Sequence, residues 1–185
     1  MLVVDDEPGV LESFEHALRE AEHEVRTARN GGEALTEMDS AVDVVVLDRR
    51  MPGMSGEAIL AHIEEWRANC RVVLVTAVDP DVEVLDLPFD DYLVKPVGTS
   101  ELVETVDQLL LFDRYEQLLS EYHALTRKLA TVERFVDGDA TVAESVAEDR
   151  DAVRAELEAT VSALSNDEMR EVLLRVHEGL DDSRS

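Results

Sequence analysis

Four polar features of this sequence stand where short apolar runs end. Asp5 and Asp6 end the first run, Asp48 the third, Thr76 the fourth and Lys95 the fifth. The carboxyl ends of parallel strands meet over one crevice of an open sheet, so these side chains are expected to lie together. Three carboxylates offer hard oxygen ligands to Mg²⁺, while a hydroxyl and an ammonium can hold phosphoryl oxygens. The sequence therefore predicts that Asp48 accepts a phosphoryl group and becomes an acyl phosphate.

Each of these features also has an ordinary structural explanation when it is taken alone. With 43 acids in 185 positions, chance gives roughly ten adjacent acid pairs, so the pair Asp5-Asp6 is weak evidence by itself. Lys95 could be a solvated charge at a strand end, and Thr76 an ordinary β-branched strand residue. What favours a functional site is the conjunction, because the features fall at the ends of four different strands.

Strand-like and helix-like segments alternate along the first 111 residues. The strand candidates cover residues 2–4, 24–28, 42–47, 72–77 and 91–95. Helical periodicity follows Pro8, resumes near Ala34, and is present again from Gly56 and from about Ser100. Pro80 and Pro88 predict that any helix between the last two strands is brief. This alternation predicts an α/β fold, a parallel sheet covered by helices on both faces and joined by right-handed crossovers.

Residues 1 to about 111 resemble the receiver domain of two-component response regulators. The resemblance rests on the features named above, on the loop Met51-Pro52-Gly53-Met54-Ser55-Gly56, and on Asp91-Tyr92-Leu93-Val94-Lys95-Pro96 as the last strand. It implies a flavodoxin-like, doubly wound five-stranded sheet of order 2-1-3-4-5. It also implies that Asp48 receives its phosphoryl group from a sensor histidine kinase, in a protein that assists its own phosphotransfer and dephosphorylation and is not an enzyme.

The same resemblance implies roles for individual residues of the site. Tyr92 would be the aromatic residue that swings inward when Thr76 turns toward the phosphate. Asp6 and Asp48 would bind Mg²⁺ directly, Asp5 would act through water, and Arg50 would offer its backbone carbonyl to the metal. The pair Arg49-Arg50 is a departure from the family pattern, because it puts two cations beside Asp48. They could steer an anionic donor, change the lifetime of the acyl phosphate, or only offset local acid.

The chain beyond residue 111 has a different pattern. Apolar residues from Leu111 to Val136 alternate at spacings of four and three, which predicts a long helix or a coiled coil. Apolar residues also occupy flanking heptad positions, which favours a helical hairpin that turns at Asp137-Gly138-Asp139 and continues from Val142 to Leu164. Either arrangement could form a homodimer. A capping box at residues 165–168 predicts a last short helix that ends near Gly179.

This helical pattern resembles the HalX-type domain that follows receivers in haloarchaeal regulators. The predicted organisation is therefore a receiver at 1–111, a helical output or dimerisation domain at 112–180, and a disordered tail at 181–185. The formal charge of −26, with Lys95 and Lys128 as the only lysines, is typical of a protein that works in concentrated salt. The same charge argues against binding to an anionic membrane. A single cysteine and the absence of a long apolar segment predict a soluble cytoplasmic protein.

Three functions remain to be distinguished. The first is a phosphorylation switch that relays its state to the helical tail. The second adds DNA binding through the C-terminal helices, although residues from 112 onward carry 9 basic and 18 acidic side chains, which disfavours contact with phosphates. The third is a Mg²⁺-dependent aspartyl-phosphate phosphatase of the dehalogenase class. A member of that class would carry an Asp-x-Asp motif after the first strand, whereas the first strand here is followed by Asp5-Asp6-Glu7-Pro8.

Overall fold

A computed structural model describes residues 1–65, 70–77, 87–135 and 140–164, and these contain five strands and five helices. The strands are β1 (Leu2–Val4), β2 (Arg26–Ala28), β3 (Val44–Asp48), β4 (Arg71–Thr76) and β5 (Asp91–Val94). The helices are α1 (Pro8–Glu20), α2 (Gly31–Glu37), α3 (Gly56–Glu65), α4 (Thr99–Phe135) and α5 (Ala140–Ala163). The strands form one parallel sheet of order β2-β1-β3-β4-β5, which confirms the predicted flavodoxin-like topology.

The chain divides into two compact units, Met1–Leu110 and Leu111–Ser185. In the first unit, alternate residues of each strand point to opposite faces of the sheet. One face packs on α2 and α3 through a cluster that includes Val45, Leu47 and Ile59. The other face packs on α1 and α4 through a cluster that includes Val46 and Leu102. Burial on both faces explains why the strands are continuous apolar runs.

Strand ends deviate slightly from the prediction, and pairing explains the differences. Strand β2 begins at Arg26 instead of residue 24, because its partner β1 is only three residues long and Leu2 pairs with Arg26. Strand β3 extends to Asp48, since Asp48 pairs with Val75 of β4. The acid therefore belongs to the strand itself, where the sheet restrains its backbone.

The second unit contains a helical hairpin. The part of α4 after Leu110 packs along α5 through a buried cluster made of Tyr115, Leu118, Tyr122, Val153, Leu157, Val161 and Leu164. Arg114 on α4 pairs with Glu156 on α5, while Leu129 and Ala147 line a common cleft farther along. The helices are therefore antiparallel, and the predicted hairpin is confirmed. The two helical patterns that the sequence shows before and after residue 111 form one helix, α4.

Some predicted features lie outside the described residues. They are the brief helix between β4 and β5, the Asp137-Gly138-Asp139 turn, the helix predicted to end near Gly179, and the tail 181–185. None of the helices in the described ranges combines the length and the apolarity that crossing a membrane would require.

Candidate functional site

The carboxyl ends of the strands bring the predicted side chains together. Lys95, directly after β5, places its Nζ 2.8 Å from Asp5 Oδ2 and 3.2 Å from Asp48 Oδ2. Asp5 follows β1 and Asp48 ends β3, so one ammonium group connects three strands. The same Nζ lies 3.5 Å from Glu7 Oε1. Glu7 was not predicted as a site residue, and the only signal for it in the sequence is its position two residues after Asp5.

Asp48 is 5% exposed, and both of its carboxylate oxygens have partners. Oδ2 accepts from Lys95, and Oδ1 accepts from the backbone N–H of Arg50 at 3.3 Å. Burial raises the pKa of the Asp48 carboxyl, and the nearby Asp5 carboxylate acts in the same direction. The Arg50 N–H and the Lys95 ammonium oppose that rise. The geometry therefore holds a partly desolvated carboxyl group in a fixed orientation beside a cation.

Lys95 keeps its charge in this position. Burial by itself would lower the pKa of the ammonium, but the hydrogen bond to Asp5 and the negative charges of Asp48 and Asp5 outweigh it, so the pKa of Lys95 is raised. A protonated lysine can offset charge on an incoming anion as a compact point charge.

The carboxylates of Asp5, Asp6 and Asp48 fit a divalent cation. One oxygen from each lies within 4.8 Å of the others. Asp5 uses its oxygens to accept from the Glu7 N–H and from Lys95, whereas Asp6 has no side-chain partner among the described residues. The Lys95 ammonium contacts Asp5, Asp48 and Glu7, and Asp6 adds a further carboxylate, so the cluster has an excess of negative charge that a hard cation would neutralise. The part of Arg50 that contacts Asp48 is its N–H, so its carbonyl as a metal ligand stays a prediction.

Gly56 fixes the loop that follows Asp48. Its N–H donates to the Arg49 carbonyl at 3.0 Å, closing the loop onto the start of α3. A Cβ added at Gly56 would lie 2.5 Å from the Asp48 carbonyl oxygen and 2.9 Å from the Arg49 Cα. Gly53, in the same loop, has φ +85°, a conformation that favours glycine. The sequence identified this loop but did not reveal how closely Gly56 approaches the strand end.

The structure distinguishes the two arginines after Asp48. Arg49 donates from Nε to Glu57 Oε1 at 2.9 Å, and its side chain is 11% exposed. Arg50 is exposed, and within the described ranges its guanidinium has no partner. Both arginines line an open cleft of about 640 Å³ together with Asp6, Ser55 and Glu57. Arg49 therefore offsets local acid, while Arg50 places a cation beside the carboxylate cluster.

The proposed switch residues occupy different environments. Thr76 is buried at the end of β4, and its carbonyl accepts from the Lys95 N–H at 2.7 Å. Tyr92 on β5 is 37% exposed and packs edge-on against Phe89, with ring centroids 6.2 Å apart. Thr76 thus lies at the strand ends with Lys95, and Tyr92 is turned outward. The inward movement of Tyr92 stays a prediction.

A family model described as the response regulator receiver domain matches residues 1–107. The chain belongs to the response regulator receiver family. The fold of this receiver is also similar to that of solved receivers. The response regulator protein TrrA of Thermotoga maritima, solved in complex with Mg²⁺-BeF, is 38% identical with a TM-score of 0.52, over 58% of this chain and 96% of that chain.

Two relatives place the receiver in longer proteins. A Haloferax volcanii protein that carries the name of a transcriptional regulator is 41% identical over 164 residues, which cover 87% of this chain and 28% of that protein. The transcriptional regulatory protein PrrA of Mycobacterium tuberculosis is 40% identical over 114 residues, 60% of this chain and 49% of that protein. The chain thus spans half or less of these relatives. The Haloferax match must extend beyond the receiver, and it agrees with the acidic, lysine-poor composition.

Proposed function

We propose that this protein is a phosphorylation switch in which Asp48 accepts a phosphoryl group from a sensor histidine kinase. The observation that carries the proposal is the geometry of Asp48. Its buried carboxylate is held by the Arg50 N–H and by Lys95 Nζ, and it lies beside Asp6, whose side chain has no partner among the described residues. Family membership supplies the general function of a phosphoacceptor, and these contacts support Asp48 as the acceptor in this chain.

In the proposed transfer, a carboxylate oxygen of Asp48 attacks the phosphorus of a phosphohistidine. The new P–O bond forms as the P–N bond breaks, and the imidazole leaves with the electron pair and takes up a proton. Lys95 moves from the carboxylates to an oxygen of the phosphoryl group, where its charge offsets the negative charge on that group. The Thr76 hydroxyl holds another phosphoryl oxygen. These residues position and neutralise the group, which is what phosphoryl transfer requires of a protein.

The acid cluster would hold Mg²⁺. Asp6 and Asp48 would supply direct oxygen ligands, the Arg50 carbonyl another, and Asp5 would act through a water molecule. The bound ion would neutralise negative charge on the phosphoryl oxygens. The charge of Asp6 also needs a cation, because the Lys95 ammonium contacts the carboxylates of Asp5, Asp48 and Glu7.

Phosphorylation would shift an equilibrium between two conformations. Thr76 would turn toward the phosphoryl group, and Tyr92 would move from its exposed position toward the space that Thr76 leaves. The protein would also assist hydrolysis of its own acyl phosphate, which resets the switch without making it an enzyme. An aspartyl-phosphatase is disfavoured by the receiver match and by the position of Asp48 at the end of β3. We also propose that this protein is cytoplasmic, where it would meet the sensor histidine kinase that donates the phosphoryl group.

The output is proposed to reside in the C-terminal helices. We assign a receiver to 1–111, a HalX-type helical domain to 112–180 and a tail to 181–185. DNA binding is the second candidate, favoured by the Haloferax relative whose name is that of a transcriptional regulator and whose match covers 87% of this chain. Gel-shift assays with genomic fragments in high salt would test it, and a complete lack of retarded fragments would contradict it.

The central experiment is incubation with acetyl phosphate and Mg²⁺ in molar salt, followed by intact-mass measurement. The wild-type chain should gain one phosphoryl group and Asp48→Asn none. Asp43→Asn is the matched control, because Asp43 is an exposed acid just before the same strand and should leave incorporation unchanged. Incorporation that survives Asp48→Asn would contradict the assignment of the acceptor.

A further inference from the structure

Met54, in the loop between β3 and α3, lies directly on the first turn of α2. A Cβ added at Gly31 would lie 2.5 Å from Met54 Sδ, 2.6 Å from its Cβ and 2.7 Å from its Cγ. Favourable contacts between such atoms are about 3.5–4.0 Å, so Met54 occupies the space that a larger residue at position 31 would need. Gly31 is buried, and Met54 is half-buried against the core cluster shared by α2 and α3. Glycine is therefore the residue that lets the loop and α2 come into contact at this point.

The first turn of α2 is a fixed support for this contact. Asn30 caps the helix, since its Oδ1 accepts the Glu33 N–H at 2.9 Å. The two carboxylate oxygens of Glu33 reach back and accept from the Asn30 side-chain amide and from the Arg29 N–H. This reciprocal capping limits how far the start of the helix can move. The helix end that receives Met54 is therefore held by its own hydrogen bonds.

The same support is connected to the acid cluster. Strand β2 ends at Ala28, and the Ala28 carbonyl accepts the Asp5 N–H at 3.2 Å. Asp5 is thereby held at the end of β1, where its carboxylate contacts Lys95. Gly31 lies only three residues after Ala28. This short segment therefore fixes the place where Met54 rests relative to the backbone of Asp5.

The loop on the other side of the contact carries Arg50. It is attached to the sheet at Arg49, whose N–H donates to the Val75 carbonyl at 2.8 Å, and it closes again at Gly56. Between these points the Arg50 N–H donates to Asp48 Oδ1 at 3.3 Å. This bond is already longer than the usual range of about 2.7–3.2 Å, so a small outward movement of the loop would break it.

We propose that Gly31 and Met54 are positioning residues of the phosphorylation site, an inference that rests on the function proposed above. Their contact sets the distance between the loop and the end of β1, so it fixes where Arg50 lies relative to the acid cluster. Both residues act through the backbone of residues 49–56 and not by touching the phosphoryl group. Groups that orient metal ligands typically change metal affinity by about 10- to 100-fold when they are altered. The property that this contact controls is therefore the affinity for Mg²⁺.

The first test compares two methionines of the same core cluster. Met38 at the end of α2 and Met54 in the loop are both half-buried against that cluster, so replacing either with alanine should lower the Tm. The isotope-labelled full chain is titrated with MgCl₂ in molar salt, and the nuclear magnetic resonance signal of the Arg50 amide reports both binding and folding. Met54→Ala should raise the Mg²⁺ Kd about tenfold, because the loop is no longer held on α2. Met38→Ala should leave the Kd unchanged.

The second test changes the other partner of the contact. Gly31→Ala places a methyl group against Met54 and should push the loop outward by on the order of 1 Å, which raises the Mg²⁺ Kd about tenfold or more. Gly32→Ala is the matched control in the same helical turn, because a Cβ there has only the Asn30 side-chain oxygen nearby, at 3.3 Å. It should leave the Kd unchanged. In a Met54→Gly background, which removes all three contacted atoms, Gly31→Ala should cause no further change.

The outcomes separate this inference from the proposed function. If the wild type does not bind Mg²⁺, or if Asp6→Asn binds it as tightly, the proposed metal site is wrong and this inference fails with it. If the wild type binds Mg²⁺ through Asp6, and Met54→Ala and Gly31→Ala keep the wild-type Kd, only the positioning role is refuted. Equal increases in Kd for Met38→Ala or Gly32→Ala would show a purely structural effect and would refute that role too. Should Gly31→Ala not fold, the comparison of the two methionines decides.

Discussion

Gly56→Ala tests how tightly the loop after Asp48 is closed. The added Cβ would lie 2.5 Å from the Asp48 carbonyl oxygen, 2.9 Å from the Arg49 Cα and 3.2 Å from the Asp48 carbonyl carbon. Favourable carbon contacts are about 3.5–4.0 Å. All three neighbours are backbone atoms, which cannot rotate away as a side chain could. The start of α3 must therefore separate from the end of β3 by a distance on the order of 1 Å.

The magnitude follows from two opposing effects. Forcing a methyl group into a closed contact costs about 1–3 kcal/mol. Alanine restricts the unfolded chain more than glycine does, which raises the free energy of unfolding by about 0.4–1 kcal/mol. We expect a net loss of about 1–2 kcal/mol in the free energy of unfolding, or a Tm lower by roughly 2–8 °C. Displacement of the Asp48 carboxylate from Lys95 should also slow phosphorylation, by about a hundredfold for a shift near 1 Å.

The assay is thermal denaturation in molar salt together with the rate of phosphorylation by acetyl phosphate. Gly9→Ala is the matched control, because Gly9 lies in α1 and a Cβ there meets no atom within 4 Å. That substitution should leave phosphorylation unchanged and raise the stability by about 0.5–1 kcal/mol. If Gly56→Ala is as stable as the wild type and is phosphorylated at the same rate, the close approach does not constrain the site.

Three further predictions concern charge and burial. Lys95→Gln removes the cation that contacts Asp5 and Asp48, and should lower the free energy of unfolding by about 3 kcal/mol without Mg²⁺. Denaturation measured with and without Mg²⁺ should show a smaller loss of stability when the ion is present. An equal loss in both conditions would contradict the acid cluster as the Mg²⁺ site. Tyr115→Phe should stabilise the protein by about 1 kcal/mol in urea titrations, because the buried Tyr115 hydroxyl has no hydrogen-bond partner within the described residues. Tyr122→Phe is the comparison variant. A loss of stability in Tyr115→Phe would refute this reasoning. The chain has a formal charge of −26, and its transfer from salt near 1 M to about 0.1 M should reduce the helical circular dichroism signal, because repulsion between the acidic side chains is less screened. An unchanged signal would argue against a halophilic protein.

The elements of the receiver could be predicted from the sequence because the apolar pattern of each segment reflects which of its faces are buried. Strand β3 is buried on both faces, so Val44–Asp48 is an apolar run that ends in one acid. Helix α1 is buried on one face, so Leu11, Phe14 and Leu18 recur at helical spacing. The position of Asp48 at the carboxyl end of its strand was evident for the same reason. The family resemblance then supplied the strand order, which periodicity alone does not contain.

The C-terminal unit shows where sequence reasoning left a choice. The heptad pattern from Leu111 suits either a coiled coil or a hairpin, because apolar residues widen the stripe beyond a simple seam. Contacts between α4 and α5 decide for the hairpin. The cleft that Leu129 and Ala147 line was not predictable, since it depends on which residues of two antiparallel helices come opposite each other.

The sequence by itself determined the local chemistry of this protein: an acid at a strand end, a lysine at another, and the helices that separate them. Only the tertiary structure decided that Lys95 bonds Asp5 across 90 residues, that Arg49 pairs with Glu57, and that Gly56 touches the strand end. The physical reason is that periodicity reports the environment of each segment separately. Contacts between segments depend on register and packing, which are set when the whole sheet and its helices assemble.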